Sequence, residues 1–307
     1  METKLDIVVI GTIIKETIQF PNKTLGPVLG SPAAYSSLVM AAQGKKVGLV
    51  TYYGKDMENV ISELDVLNRD GVMPYDFTTT NLLVYREDGT KYVEYQKASP
   101  NITFADIRPE YLGVDYFKIC PMNYEVELDV VERLHQMGKT VFVDLGGYGG
   151  ATSDIRYSVI EPYGKMVIDT LCANSTIIKA SAEDMFSIMD GGTPEDAADY
   201  LVRAGAKNLV ITLGERGVLY KEGDSEIQYI SPFTARSEIE DGSLDFTGAG
   251  DSFGAGFMSS YIVHQNMRKA VINGNATASL VIQKSGGCTL KRMPSSERVR
   301  RRIETDE

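Results

Sequence analysis

The chain has 307 residues, long enough for one large α/β unit or two smaller ones, and its 31 Lys and Arg against 42 Asp and Glu leave a net charge of −11. This acidic balance argues against wide contact with nucleic acid or an anionic membrane, so a bound phosphate has to be held mostly by something other than a field of Lys and Arg. Two His (His135 and His264, both in helical patterns) and three scattered Cys (Cys120, Cys172, Cys288) lack the paired spacings of a zinc site and leave a Ser-His-Asp triad little to use.

In chain order, residues 7–11 (IVVIG) read as a strand that starts too close to Met1 to leave room for a signal peptide. With no run of about 18 apolar residues and an odd number of unclustered thiols, the expectation is a cytoplasmic protein with reduced, structural Cys. Residues 12–29 are partly extended and punctuated by Pro and Gly. A helix is expected over 32–43, a strand over 47–53 and a helix over 57–67. Residues 81–86 and 91–96 alternate around Asp88-Gly89, the pattern of a β-hairpin. A helix over 125–137 is followed by strands over 140–145 and 176–180. The helix expected over 194–204 opens with a capping Thr193, a first-turn Pro194 and acids at the positive end of its dipole. A strand over 208–214 comes next. Two close helices, 251–264 and 268–284, precede a polar tail whose Arg298, Arg300, Arg301 and Arg302 read as a solvated helix end.

Near-continuous apolar strands alternating with amphipathic helices imply an α/β fold, a mostly parallel sheet covered on both faces. No repeat, low-complexity tract or linker divides the chain, so residues 1–307 are expected to form a single domain. The stretches 12–29 and 81–96 either join in a small β-flap beside the main sheet or stand as two ordinary surface excursions. The pattern alone fits both.

The segment that carries chemistry is 245–257 (DFTGAGDSFGAGF). A strand-like approach breaks at Thr247-Gly248-Ala249-Gly250, and a helix opens at Asp251. Two glycines around one Ala let consecutive backbone N–H groups turn towards a single point at a helix N-terminus, where the dipole supplies roughly half a positive charge. Such a concavity binds phosphate without a cationic side chain. Asp251 is then either a plain cap, worth about 0.3–1 kcal/mol, or a general base beside a phosphoryl-binding nest.

The string Asp245-Phe246-Thr247-Gly248-Ala249-Gly250-Asp251 resembles the C-terminal signature of the ribokinase-like (PfkB) carbohydrate kinases, and other features follow in the family's order along nearly the whole chain. The resemblance implies a three-layer α/β/α fold with a small β lid, here 12–29 and 81–96, and an ATP-dependent phosphotransferase with an alcohol acceptor. It implies that Asp251 is the catalytic base and that Gly248, Ala249 and Gly250 form the anion hole. Thr212, Gly214 and Gly217 match the strand-turn that lies against the nucleotide, and Asn275 matches the late helix flanking adenine. Gly30 and Ser31 match the glycine motif that faces the substrate, where Glu16 and Asp144 also fall. In 179–184 (KASAED) the family usually has an Asn-x-x-Glu pair organising Mg²⁺ and its waters; the matched residues are Ser181 and Asp184, with Lys179 on the strand before them. Asp245 falls where the family often holds a monovalent cation, usually K⁺, with 285–287 closing that site.

Departures from the family pattern gather at the substrate end. Glu16 stands where Asp is common and Tyr35 where Asn is common, and only Asp144 survives from the Asp-Pro-Asn-x-Arg strand exit. These changes argue against ribose itself and leave a sugar, a polyol such as inositol, or a nucleoside as acceptor. The short lid is similar to that of the inositol- and nucleoside-kinase branches. The resemblance admits a homodimer and assigns no nucleic-acid or membrane partner.

Two other nucleotide-binding readings fail. No glycine follows Gly11 until Gly26, so the Rossmann fingerprint is missing, and Gly48…Gly54-Lys55-Asp56 has neither the spacing nor the hydroxyl of a Walker P-loop. The alternative to an enzyme is a non-catalytic, sugar- or nucleotide-responsive binding protein on the same fold. Retention of both the Asp251 carboxylate and the glycine nest favours the enzyme.

Overall fold

The computed structural model describes residues 4–58, 61–87 and 91–305. Its first strand, β1 (Ile7–Ile10), is wholly buried and feeds two cores. Ile7 and Val9 join a cluster containing Leu38, Phe253, Phe257 and Val271; Val8 and Ile10 join another containing Val130, Leu134, Ile168 and Leu201. A strand with apolar packing on both faces has no polar side to show, which is why its sequence is an unbroken apolar run.

The chain continues through β2 (Ile14–Gln19), β3 (Thr24–Gly30), α1 (Pro32–Ala42), β4 (Val47–Gly54), β5 (Val72–Tyr75), β6 (Thr79–Tyr85), β7 (Lys91–Lys97) and β8 (Tyr116–Ile119). There follow α2 (Leu128–Gln136), β9 (Thr140–Asp144), α3 (Pro162–Asn174), β10 (Ile177–Ser181), α4 (Ala182–Met189), α5 (Pro194–Arg203), β11 (Asn208–Thr212), β12 (Val218–Glu222) and β13 (Gln228–Ile230). The last helices are α6 (Ala249–His264), α7 (Met267–Val281) and α8 (Ser296–Thr305).

Nine strands form one sheet in the order β13-β12-β11-β10-β9-β8-β1-β4-β5. Neighbours are parallel except at the β11/β12 and β12/β13 pairs. Helices α1, α6 and α7 cover one face, with α8 packed on α7, and α2 to α5 cover the other. The result is a three-layer α/β/α fold. From β1 the chain runs outward through β4 and β5, then returns to the opposite side of β1 for β8. Such a reversal leaves a crevice beyond the carboxyl ends of the central strands, where open α/β sheets hold their ligands.

A second sheet has the order β3-β2-β6-β7. β2 pairs antiparallel with β3 and parallel with β6, and β6 pairs antiparallel with β7. The stretches 12–29 and 81–96 are therefore joined in one sheet. The expected turn at Asp88-Gly89 lies outside the described residues.

Three expectations are corrected. The helix expected over 57–67 is a pair of 3₁₀ turns, Lys55–Met57 and Ile61–Val66. This segment must travel back along β4 before β5 can pair with it in parallel, and 3₁₀ geometry covers more distance per residue than an α-helix. Glu125 is not the first helical residue of α2, because its carboxylate accepts the N–H groups of Thr12, Met122 and Asn123 at 2.8–3.2 Å and ties the loop after β1 to the loop after β8. Burial pushes its pKa up. The arginine-rich tail is α8, and it is not solvated throughout: Arg302 is buried and its Nη1 donates to the Thr234 carbonyl at 2.7 Å. His135 and His264 are exposed on α2 and α6, all three Cys are buried free thiols, and no helix among the described residues is long and apolar enough to cross a membrane.

The layer that carries the signature segment rests on close contact of α6 with α7. A Cβ at Gly256 would lie 2.3 Å from the Thr277 hydroxyl oxygen, which already donates to the Asn273 carbonyl at 2.7 Å and accepts from Gln43 at 3.0 Å. Gly256→Ala should therefore push the helices apart and cost about 1–3 kcal/mol of stability. Urea unfolding measures this, and an unchanged midpoint would contradict the packing described.

Candidate active site

Helix α6 starts on Gly248, which has φ 77° and is followed by a first turn that no side chain caps. Two constraints demand glycine there. The positive φ disfavours any Cβ, and a Cβ would also sit 2.4 Å from the ring of Tyr35, which is packed beneath the turn. The Ala249 N–H bonds to the Phe246 carbonyl at 3.1 Å, whereas the Gly250 N–H has no acceptor among the described residues. First-turn N–H groups left open in this way, at the positive end of a 16-residue helix, form an anion-binding concavity. They line a cleft of about 770 Å³, with Asp251 in the same wall.

A buried cation lies at the base of this turn. Lys179, on β10, is 3% exposed, and its ammonium would be 3.2 Å from a Cβ placed on Gly250. Its Nζ lies 2.9 Å from Asp144 Oδ2 and donates to Oδ1 at 3.2 Å. Burial works against this charge, but Asp144, Asp184 and Asp251 outweigh it and hold the Lys179 pKa above the ordinary lysine value. The ammonium therefore stays protonated at neutral pH. Parallel pairing of β9 with β10 sets Asp144 directly beside Lys179.

Ser181 and Asp184 open α4 as a capping box. Ser181 Oγ accepts the Asp184 N–H at 2.9 Å, and Asp184 Oδ2 accepts the Ser181 N–H at 2.7 Å. Asp184 Oδ1 accepts the Ala151 N–H at 2.9 Å, which draws the loop after β9 against the same helix. Both side chains line the cleft, so the residues that terminate β10 and start α4 also shape its wall.

One end of the cleft is bounded by Thr212, Gly214, Gly217 and Asn275. Gly217 has φ 87°, and a Cβ there would collide with the Ile230 carbonyl at 2.1 Å, so the turn after β11 packs tightly on β13. Asn275 donates to the Ser231 carbonyl at 3.0 Å and holds the chain that follows β13. The other end is bounded by Glu16, Ser31 and the small sheet. Glu16 is buried, accepts from Asn81 at 3.2 Å and lies against Gly30, where a Cβ would be 2.7 Å from its carboxylate. Ser31 caps α1 by accepting the Ala34 N–H at 3.1 Å. Two tyrosines reach from the small sheet to the main body: Tyr85 Oη is 3.2 Å from Thr247 Oγ1, and Tyr95 Oη donates to the Thr152 carbonyl at 3.1 Å. Of the site residues that the resemblance implied, all but Gly30, Asp245 and the 285–287 segment line this cleft.

The arrangement matches known proteins. Residues 152–294 fit the model of the pfkB family carbohydrate kinases. Over 288 residues the chain is 30% identical to the cytidine kinase of Thermococcus kodakarensis, covering 92% of this chain and 98% of that protein. This chain belongs to the pfkB family. It is also 27% identical to the aminoimidazole riboside kinase of Salmonella typhimurium, over 86% of this chain and 85% of that one. The fold is that of the Arabidopsis thaliana ribokinase solved with ribose and ATP, with a TM-score of 0.77, 17% identity and coverage of 98% and 99% of the two chains. As a pfkB protein it is a carbohydrate or nucleoside kinase.

For a pfkB chain, the position of Asp245 is unexpected. Instead of facing the cleft, its Oδ2 lies 3.5 Å from the guanidinium of Arg292, a buried residue that no motif in the sequence marks. Arg292 also donates to the hydroxyl of Tyr35 at 2.8 Å. Lone arginines in a polar C-terminal stretch look like surface residues, and only the folded chain brings this one beneath Gly248. Tyr35 was recognisable as a departure from the family pattern, but its place under the turn was not. Burial raises its pKa well above the ordinary tyrosine value, so it is a neutral hydroxyl there.

The charge cluster gives a stability prediction. Lys179→Met removes the cation that three carboxylates face and should cost about 3–5 kcal/mol. Adding Asp144→Leu should recover part of the loss, because the most directly paired carboxylate is then gone. Urea unfolding of both variants and of Asp144→Leu alone tests this; losses of the two single variants that simply add in the double would show that the pair is not coupled.

Proposed function

We propose that this kinase transfers the γ-phosphate of ATP to a hydroxyl of a ribonucleoside, with Asp251 as general base and the Gly248–Gly250 turn as anion hole. The observation that carries this reading is the convergence of Asp251, the uncapped turn and the Lys179 ammonium on one cleft. The acceptor hydroxyl loses its proton to the Asp251 carboxylate as its oxygen attacks the γ-phosphorus, and ADP leaves from the opposite side. The Gly250 N–H, the α6 dipole and Lys179 stabilise charge on the phosphoryl oxygens during transfer. The adenine end of ATP is assigned to the region of Thr212, Gly214, Gly217 and Asn275.

Mg²⁺ fits this site through the nucleotide. Among the described residues no three His, Cys, Asp or Glu side chains converge as a metal site, while Asp184 lines the cleft with one backbone donor on each carboxylate oxygen. Asp184 would hold the waters of an ion carried by the phosphates, and that ion would neutralise phosphate charge.

A nucleoside is favoured by the acceptor end. Leu83, Tyr85 and Val93 of the small sheet, and Pro121 and Met122 after β8, give the cleft an apolar lining. This apolar lining suits the faces of a nucleobase better than a fully hydroxylated ring. Two relatives are named for nucleoside or riboside acceptors, which supports the same choice. The small sheet acts as a lid that excludes water from the transferring phosphoryl group.

An ADP-release assay across ribonucleosides, ribose, hexoses and inositols, with ATP and Mg²⁺, tests the acceptor. A ribonucleoside is expected to exceed free ribose and inositol in kcat/KM by about 10²-fold or more, the value of a filled apolar pocket. A higher value for a free sugar or polyol would overturn the assignment. Asp251→Asn should lower kcat about 10²–10⁴-fold and leave ATP affinity near that of the parent. A folded variant turning over at the parent rate would remove Asp251 from the role of base.

A further inference from the structure

The residues behind the anion hole do not fit a monovalent cation, because a side chain already occupies that role. Arg292 sits at the end of the 3₁₀ turn Leu290–Arg292 and is 2% exposed. Its Nε donates to the Val281 carbonyl at 3.2 Å, its Nη1 to the Gly287 carbonyl at 3.3 Å and to Tyr35 Oη at 2.8 Å, and its Nη2 to the Asp245 carbonyl at 2.9 Å. Asp245 Oδ2 lies 3.5 Å from Nη2. Three main-chain carbonyls, a carboxylate and a phenolic oxygen thus surround one buried positive charge. Carbonyl oxygens gathered in this way are what a dehydrated K⁺ requires, and here the guanidinium takes them. A second cation on the same oxygens would meet Arg292 at contact distance in a buried, poorly screened place.

The same contacts reach the catalytic turn from both sides. The Asp245 carboxylate accepts the Thr247 N–H at 3.0 Å, which curls the chain into Gly248. The ring of Tyr35 supports Gly248 from below, and its hydroxyl is held by the guanidinium. Arg292 is therefore fixed to the strand-like approach, to the floor of the turn and to the loop containing Gly287.

We propose that Arg292 is a built-in monovalent cation, a positioning residue that holds the 245–250 turn in its phosphoryl-binding shape and frees this kinase from any need for K⁺. The proposal rests on the phosphotransfer assigned above, and its test has one arm that does not depend on turnover.

In that arm the parent protein is melted in KCl and in tetramethylammonium chloride at equal ionic strength. A bound ion would raise Tm, and the more so the further its concentration exceeds its Kd, so equal Tm values are expected and a rise specific to K⁺ would overturn the proposal. This holds whichever acceptor is turned over, so failure to find a nucleoside substrate counts against the proposed function and not against the role of Arg292. In the second arm the kinase rate is followed as K⁺ replaces tetramethylammonium. A change below about twofold is expected, and activation of about tenfold or more would overturn the proposal, since that is the scale of losing a transition-state contact. In the third arm Arg292→Ala should lower kcat by about 10²-fold with KM for ATP nearly unchanged, and free guanidinium ion should restore part of the rate. Arg292→Lys should keep more activity than Arg292→Ala because it retains the charge. A folded Arg292→Ala with parent kcat in K⁺-free buffer would overturn the proposal; if that variant does not fold, the first two arms decide.

Discussion

The site depends on one buried charge. Lys179 stands in the middle of β10 with Asp144 on the neighbouring strand, Asp184 at the start of α4 and Asp251 in the first turn of α6. Each carboxylate reaches this point from a different element, and without the ammonium they would repel one another in a poorly solvated place. The ammonium thus brings strand, loop and helix N-terminus to a common centre. An acidic chain with few spare cations can handle a nucleotide on these terms. One lysine, held charged by its neighbours, and a turn of backbone N–H groups replace a broad basic surface.

Much of this was readable in the sequence because the physics is local. The two-faced burial of β1 shows as an apolar run, the Thr193-Pro194 start of α5 as a capping pattern, and the turn before α6 as two glycines around an alanine. What escaped was set by distant contacts. The segment over 57–67 has a helical composition but must span the length of a strand, so it winds into 3₁₀ turns. Arg302 carries the same charge as Arg300 and Arg301, yet only the packing of α8 turns it towards the Thr234 carbonyl. Nothing in a linear pattern separates such a residue from its solvated neighbours.

Ser181 and Asp184 show why a residue's role and its identity are hard to separate at a strand exit. The requirement to start α4 cleanly selects a hydroxyl and an acid three residues apart, and that requirement is met in full by the capping box. The same two side chains border the cleft. A helix start placed at the edge of a ligand crevice supplies oriented oxygen atoms there as a by-product of folding. Arg292 is the opposite case. It donates four hydrogen bonds to groups far apart in the chain, from Tyr35 to Gly287, and no local rule calls for it.

The parallel pairing of β2 with β6 has a mechanical consequence. It welds two chain segments that leave the main body at separate places into a single plate, with six residues of β2 in register with β6. A plate hinged at several crossings resists folding along its own length but can tilt as a unit. Tilting would part the tyrosine hydroxyls of Tyr85 and Tyr95 from Thr247 and Thr152 while leaving the strand pairing whole. Such a motion would leave the hydrogen bonds between the four strands of the plate intact, so it would require no unfolding of the small sheet itself.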